Sequence, residues 1–337
     1  MVKNEKEKIQ TEEELQTVST ALNSKTGGFA YSATAIIYVA GSLVFSLILT
    51  VIAASIQHSK GFEDLNEALA YLSGGKAYLY VSFLISPVIF ALGVLTTLKM
   101  RKVKFKEVFP VKCHPKYYLI GLMLVFGLIM SLNQVNEWFL RLINKEEGEA
   151  YKQLSDFISN ISGWDIPLAF IVLAILPAFF EELTFRGVIL NSCEKNMGSI
   201  RTVFVVGFCF ALFHGAPEQT IYQFIAGCLF AFVAVRSGSI LPGIMMHFIN
   251  NGIVVLFGAC RLYDENGALA ISNTANIILI VLGACCLAGG LLWLILDKKQ
   301  KPLAKCQNGG VKSFFLYASV GIAILGIIWI CSLFGVT

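Results

Sequence analysis

The sequence predicts an all-α polytopic membrane bundle of about nine transmembrane helices, with the N-terminus cytoplasmic and the C-terminus outside. Three observations carry this. Only 14% of the 337 residues are charged and 56% are hydrophobic, against roughly 25% charged in an ordinary soluble domain. The apolar residues gather in blocks of about 20, the length that crosses a ~30 Å hydrocarbon core. Lys and Arg collect in alternate connecting segments, as the positive-inside rule requires. These features exclude a soluble globular enzyme and a disordered chain, and a net charge of +4 excludes a generic nucleic-acid binder. The nine cysteines form an odd set with no CxxC pair. Most fall inside apolar blocks (Cys209, Cys228, Cys285, Cys286, Cys331), where they are expected as buried small hydrophobes.

Residues 1–30 form a polar cytoplasmic tail in which Lys3, Lys6, Lys8 and Lys25 mix with Glu5, Glu7, Glu12, Glu13 and Glu14. The first apolar block, 31–56, is too long for a signal-peptide core and no A-x-A-like site follows it, so it is expected to stay as an anchor. Further blocks lie at about 77–98, 117–133, 166–190, 200–216, 219–235, 239–259, 274–296 and 313–335. With the tail inside, inner segments hold 19 of the 26 Lys and Arg, outer ones six and the core one. The strongest contributors are Lys99 to Lys116 and Lys298 to Lys312, expected mainly as topology signals that also suit anionic lipid. The loop 134–165 is acidic and carries an expected interfacial helix around Trp138 to Ile143. The chain thus divides into the tail, N-terminal helices with an outer loop (31–164), a central core (165–259) and C-terminal helices (260–337).

Almost every ionisable residue falls in a connecting segment. The exceptions are Glu181, Glu182, Arg186, His214 and His247. Ionisable groups at membrane depth are costly and are functional candidates by default. Glu182 and Arg186 stand at i and i+4, so they share a helix face and can neutralise each other, while Glu181 points about 100° away. His247 and Asn251 are again i, i+4 and form a two-donor surface. Singly, each has a plainer reading: a structural ion pair, a satisfied core histidine, or an interhelical amide. Two acids, one base, two histidines and an amide on three helices are hard to explain by packing. Counting from the span edges at 1.5 Å per residue places Glu181 about 8 Å, His247 about 12 Å, Asn251 about 18 Å and His214 about 21 Å from the inner face. A common site near the midplane then needs water to arrive through a protein-lined cavity. Pro177 and Pro242 sit where kinks could open it, and Gly187, Gly227 and Gly243 where helices could approach closely.

Taken together, Glu181-Glu182-Leu183-Thr184-Phe185-Arg186-Gly187, then Phe210-Ala211-Leu212-Phe213-His214, then His247-Phe248-Ile249-Asn250-Asn251 resemble the CAAX protease and bacteriocin-processing family (CPBP or Abi, Rce1-type) of intramembrane endopeptidases. The stretch from Phe224 through Gly227 and Arg236 to His247 also resembles the family core. The resemblance covers about residues 165–255. It implies proteolysis inside the membrane, with Glu181 and His214 activating a water, His247 and Asn251 forming the oxyanion hole, and Glu182, Arg186 and Phe210 supporting them. A water between a carboxylate and an imidazole has a general base within reach, and fixed donors in a low-dielectric site stabilise developing charge. A zinc-dependent alternative uses Glu181, His214 and His247 as ligands with one open position. The absence of HExxH on one helix and the family resemblance favour a metal-free, glutamate-type enzyme without cofactor.

The implied partners are the lipid bilayer and a membrane-associated protein or peptide substrate. Lys-rich loops, an acidic tail and no organelle signal point to a bacterial plasma membrane, where a prenylated substrate is not expected. Two other classes fit the same helices: a non-catalytic scaffold or immunity protein, for which Glu181→Gln would be silent, and a Glu/His proton relay of a transporter.

Overall fold

The computed structural model describes residues 21–132, 134–143, 154, 156–262, 270–298, 301–306 and 309–335. Among the described residues all regular structure is helical. The helices of eight residues or more are α1 (Ser24–Lys60), α2 (Leu65–Ser73), α3 (Lys76–Arg101), α4 (Lys116–Leu132), α5 (Val135–Leu142), α6 (Asp165–Met197), α7 (Ser199–Phe213), α8 (Thr220–Ser237), α9 (Leu241–Ala259), α10 (Asn273–Leu296) and α11 (Gly310–Leu333). All nine apolar blocks are helical, and α5 forms where a short helix was expected near Trp138. Among the described residues, seven helices are long and apolar enough to cross a membrane; α4 and α7 fall short. With 15 residues, α7 reaches about 22 Å, less than a ~30 Å hydrocarbon core.

Large apolar side chains point outward along the peripheral helices. Leu43, Leu47 and Val51 on α1, and Ile277, Val281, Leu292 and Leu296 on α10, are more than half exposed. Such faces are stable only against hydrocarbon, and the chain is an integral membrane protein. The helices that carry the three motifs lie towards the inside. In α6 every residue from Leu183 to Leu190 is buried, whereas α10 buries only Gly283, Gly290 and Leu294.

Lipid supplies no hydrophobic drive between helices, so close backbone packing through small residues does the work. A Cβ on Gly28 of α1 would lie 2.9 Å from Ala318 N of α11, and one on Gly321 would lie 2.9 Å from Ser32 Cα. Ser32 Oγ donates to the Tyr317 carbonyl (2.7 Å) and accepts from Gly321 N (3.1 Å). The same device joins α4 to α10, where a Cβ on Gly127 would meet Leu287 N at 2.6 Å and one on Gly283 would meet Met130 Cβ at 2.6 Å.

The structure corrects four sequence expectations. The polar tail ends earlier than residue 30: α1 starts at Ser24, capped by Asn23 Oδ1 on Thr26 N (3.2 Å), and Ser24, Thr26, Gly27, Gly28 and Ala30 are buried because their small side chains admit α6 and α11. The rest of the predicted tail, residues 1–20, lies outside the described residues. Pro242 kinks nothing, since it occupies the first turn of α9, where its missing N–H costs no bond. Of the cysteines expected to be buried, Cys209 is buried, while Cys228, Cys286 and Cys331 are half-buried and Cys285 is exposed; apolar blocks that face lipid expose half their surface.

The second basic loop is also more than a topology signal. Buried Glu194 accepts from Ser199 Oγ (2.8 Å) and pairs with Lys301 Nζ (2.7 Å). Ser199 N donates to the Ala304 carbonyl (3.0 Å), and Ala304 N donates back to Ser199 Oγ (2.8 Å). Gly198, at φ 80°, leaves room for this strap: a Cβ there would lie 2.8 Å from Cys306 N. Lys116 pairs with Asp297. The loop after α10 is thereby fastened across the junction of α6 and α7.

Candidate active site

The site forms where α6, α7, α8 and α9 meet. α6 departs from α-helical geometry twice, with π segments at Phe170–Ile175 and Leu183–Leu190. Widened turns of this kind re-aim side chains and recur at functional sites. Pro177 follows the first of them. Within the first of them the Leu173 carbonyl accepts from Asn251 Nδ2 of α9 (3.1 Å).

Glu182 and Arg186 form the predicted pair, with both side chains fully buried. Arg186 Nη1 donates to Glu182 Oε1 (2.7 Å) and Nη2 to the Gly227 carbonyl of α8 (2.9 Å). The guanidinium carbon lies 4.7 Å from the Phe210 ring centre, 5.4 Å from Phe230 and 6.0 Å from Phe185. Three aromatic faces and two oxygen acceptors take the place of water at the two terminal nitrogens, while Nε is buried without a hydrogen-bond partner. Gly227 lets this happen, because α7 and α8 cross closely there: a Cβ on it would be 3.0 Å from Gly207 Cα and 3.1 Å from Phe210 Cδ1.

Glu182 has a second partner that the i, i+4 argument did not foresee. His247 Nδ1 lies 3.1 Å from Glu182 Oε1. An ionised carboxylate only accepts, so the hydrogen is on Nδ1 and His247 turns Nε2 the other way. There it meets Glu181, with Nε2 and Oε2 4.0 Å apart. The adjacent glutamates differ in their partners: Glu182 Oε1 meets Arg186 and His247, while Glu181 Oε2, like the second oxygen of Glu182, is buried without a hydrogen-bond partner.

His214 follows the last turn of α7 and is half-buried. Its Nδ1 is 2.9 Å from the Phe210 carbonyl; a carbonyl cannot donate, so Nδ1 carries the hydrogen and Nε2 keeps its lone pair. Phe210 stands between the histidines, edge-on to His214 at 4.8 Å and to His247 at 5.8 Å. The structure thus brings Glu181, Glu182, Arg186 and His247 into one cluster, sets His214 across the Phe210 ring from it, and places Asn251 one turn beyond His247 on α9. Residues missed in the sequence are Phe230, the Gly227 carbonyl, Tyr222 and Asn250. Asn250 stands next to Asn251, but helical spacing turns adjacent residues apart and gave no reason to select it.

The zinc alternative requires Glu181, His214 and His247 to converge. Among the described residues no group of three or more His, Cys, Asp or Glu side chains is placed to hold a metal ion.

Gly243 is the tightest control on the cluster. A Cβ there would stand 2.7 Å from Glu182 Oε2, so Gly243→Ala is expected to push the carboxylate off His247 and Arg186. If the site cleaves peptides as the sequence resemblance implies, cleavage should fall at least about tenfold, as for a slightly misplaced catalytic group, with little change in helix content by circular dichroism. Wild-type activity in Gly243→Ala would show that the Glu182 position is not critical.

A buried acid, histidine and guanidinium cluster inside an apolar helical bundle defines a membrane-embedded protein with ionisable side chains at its centre. Residues 163–253 match the family described as Rce1-like, Type II CAAX prenyl endopeptidase Rce1-like. The matched segment runs from the start of α6 into α9 and holds all three motifs. No curated protein and no solved structure matches the chain.

Proposed function

We propose that the chain is an intramembrane endopeptidase that hydrolyses a peptide bond of a membrane-associated protein or peptide. The observation that carries this is Glu181: a buried carboxylate oxygen with no hydrogen-bond partner, 4.0 Å from His247 Nε2 and next to an ion pair that is already neutralised. A buried acceptor without a partner is costly, and a water to be activated is a partner that would relieve the cost.

In this reading Glu181 takes a proton from the water as its oxygen bonds the scissile carbonyl carbon. His214, with Nε2 bare, accepts the water's other hydrogen and fixes its orientation. The carbonyl oxygen becomes an oxyanion, held by the second hydrogen of Asn251 Nδ2 and by His247. Nδ1–H of His247 is committed to Glu182, so donation from Nε2 uses the imidazolium, whose charge is balanced by Glu181 before the water gives up its proton and by the oxyanion afterwards. Glu181 then returns its proton to the departing amine as the C–N bond breaks.

The test is cleavage of a quenched peptide library by the protein in liposomes. The peptides carry a membrane anchor, with or without a C-terminal prenyl group, and each reaction is run with and without a zinc chelator. Cleavage that persists in chelator supports the glutamate-type enzyme, and the arm that is cut names the substrate class. Loss of cleavage in chelator would replace it with a metal enzyme. No cleavage of any peptide would remove the protease reading in favour of a scaffold.

A further inference from the structure

Behind the site a line of hydrogen bonds crosses from α8 to α6. Tyr222 OH donates to Asn250 Oδ1 (2.6 Å), Asn250 Nδ2 donates to Asn251 Oδ1 (3.2 Å), and Asn251 Nδ2 donates to the Leu173 carbonyl (3.1 Å). The direction of this line is fixed by its end. The Leu173 carbonyl can only accept, so Asn251 must turn its NH2 towards α6 and its oxygen towards Asn250. Asn250 must then present its own NH2 to Asn251 and its oxygen to Tyr222, which is left as the donor. Tyr222 is itself fixed, because its backbone N–H, in the first turn of α8, donates to Asn136 Oδ1 of α5 (3.2 Å). An amide has two nearly isosteric orientations that exchange donor for acceptor. In Asn251 one of them offers a hydrogen to the substrate and the other offers a lone pair.

From this juxtaposition we infer that Tyr222, acting through Asn250, is a positioning residue that holds the Asn251 carboxamide with its free N–H towards the reacting carbonyl. The inference rests on the protease reading, in which Asn251 is an oxyanion donor. It adds a requirement of this chain's own: the donor is oriented by a phenol two residues away in the hydrogen-bond line and on another helix. The Leu173 carbonyl of α6 supplies the fixed end of that line, and as an acceptor it sets the sense of the bonds behind it.

The test is a double-mutant cycle measured as kcat and KM on a liposome-embedded peptide that wild type cleaves, with unfolding temperatures for the same proteins. Tyr222→Phe leaves the ring and removes the donor. It is expected to lower kcat about tenfold, the scale of a modest misplacement at the reacting centre, with KM within about twofold. Asn250→Asp, which cannot donate to Asn251 Oδ1, is expected to lower kcat at least as much. In an Asn251→Ala background, which keeps residual activity, Tyr222→Phe should have no further effect. A merely structural tyrosine would move the unfolding temperature and both kinetic constants, and its effect would add to that of Asn251→Ala. Wild-type kcat in Tyr222→Phe, a loss confined to KM, or full additivity overturns the inference and leaves the protease reading standing. No cleavage by wild type overturns the protease reading and the catalytic role of Tyr222 with it.

Discussion

Replacing Glu181 by Gln is expected to lower kcat by about 1,000-fold or more, within the usual range for a positioned general base, while KM and the unfolding temperature stay close to wild type. The two halves of this expectation have separate causes. Gln keeps the shape of the side chain but cannot take a proton from water. Glu181 Oε2 makes no hydrogen bond to the protein, so the amide breaks no hydrogen bond there and relieves the burial of an acid. The measurement pairs cleavage in liposomes with thermal unfolding in detergent. An active Glu181→Gln would discard Glu181 as the base and leave a scaffold or a binding role for the cluster.

The opposite signature is expected at Glu182 and Arg186, where fold and activity fail together. Glu182→Leu leaves a fully buried guanidinium with the Gly227 carbonyl and aromatic faces alone, and Arg186→Met leaves a buried carboxylate against His247. Breaking one side of a buried pair costs about 3–5 kcal/mol, enough to unfold many variants of a marginally stable protein. The double variant Glu182→Leu/Arg186→Met removes both charges and should regain most of the lost unfolding temperature. It should remain inactive, because His247 Nδ1 has lost the acceptor that sets which nitrogen faces Glu181. Unfolding curves of the three variants, with cleavage rates, check this. Single variants as stable as wild type would mean that the pair does not hold the α6–α9 junction, and an active double variant would mean that Glu182 does not orient His247.

Much of this was legible beforehand because it rests on short-range rules. Apolar blocks of bilayer length became helices, the three motifs fell on adjacent buried ones, and Glu182 with Arg186 paired at i, i+4 as helix geometry requires. The errors share a different origin. The tail boundary, the strap at Lys301 and Ala304, and the exposure of Cys285 all depend on what a residue meets from a distant part of the chain. Composition sees Ser24 to Ala30 as polar and glycine-rich; only the arrival of α6 and α11 makes those small residues the start of a packed helix. Pro242 looked like a kink until its place in the first turn of α9 was known.

By itself, then, the sequence determined the membrane environment, the helical spans and the candidate set Glu181, Glu182, Arg186, His214, His247 and Asn251. Burial cost and helical period act on residues close in the chain, and a single sequence exposes both. The tertiary structure decided which members touch. It gave His247 to Glu182 at 3.1 Å, left Glu181 Oε2 without a hydrogen-bond partner, set Phe210 between the histidines, and tied Asn251 to the Leu173 carbonyl. Hydrogen-bond direction needs a specific acceptor on another helix, and that acceptor exists only once glycines such as Gly227 and Gly243 have let the helices close.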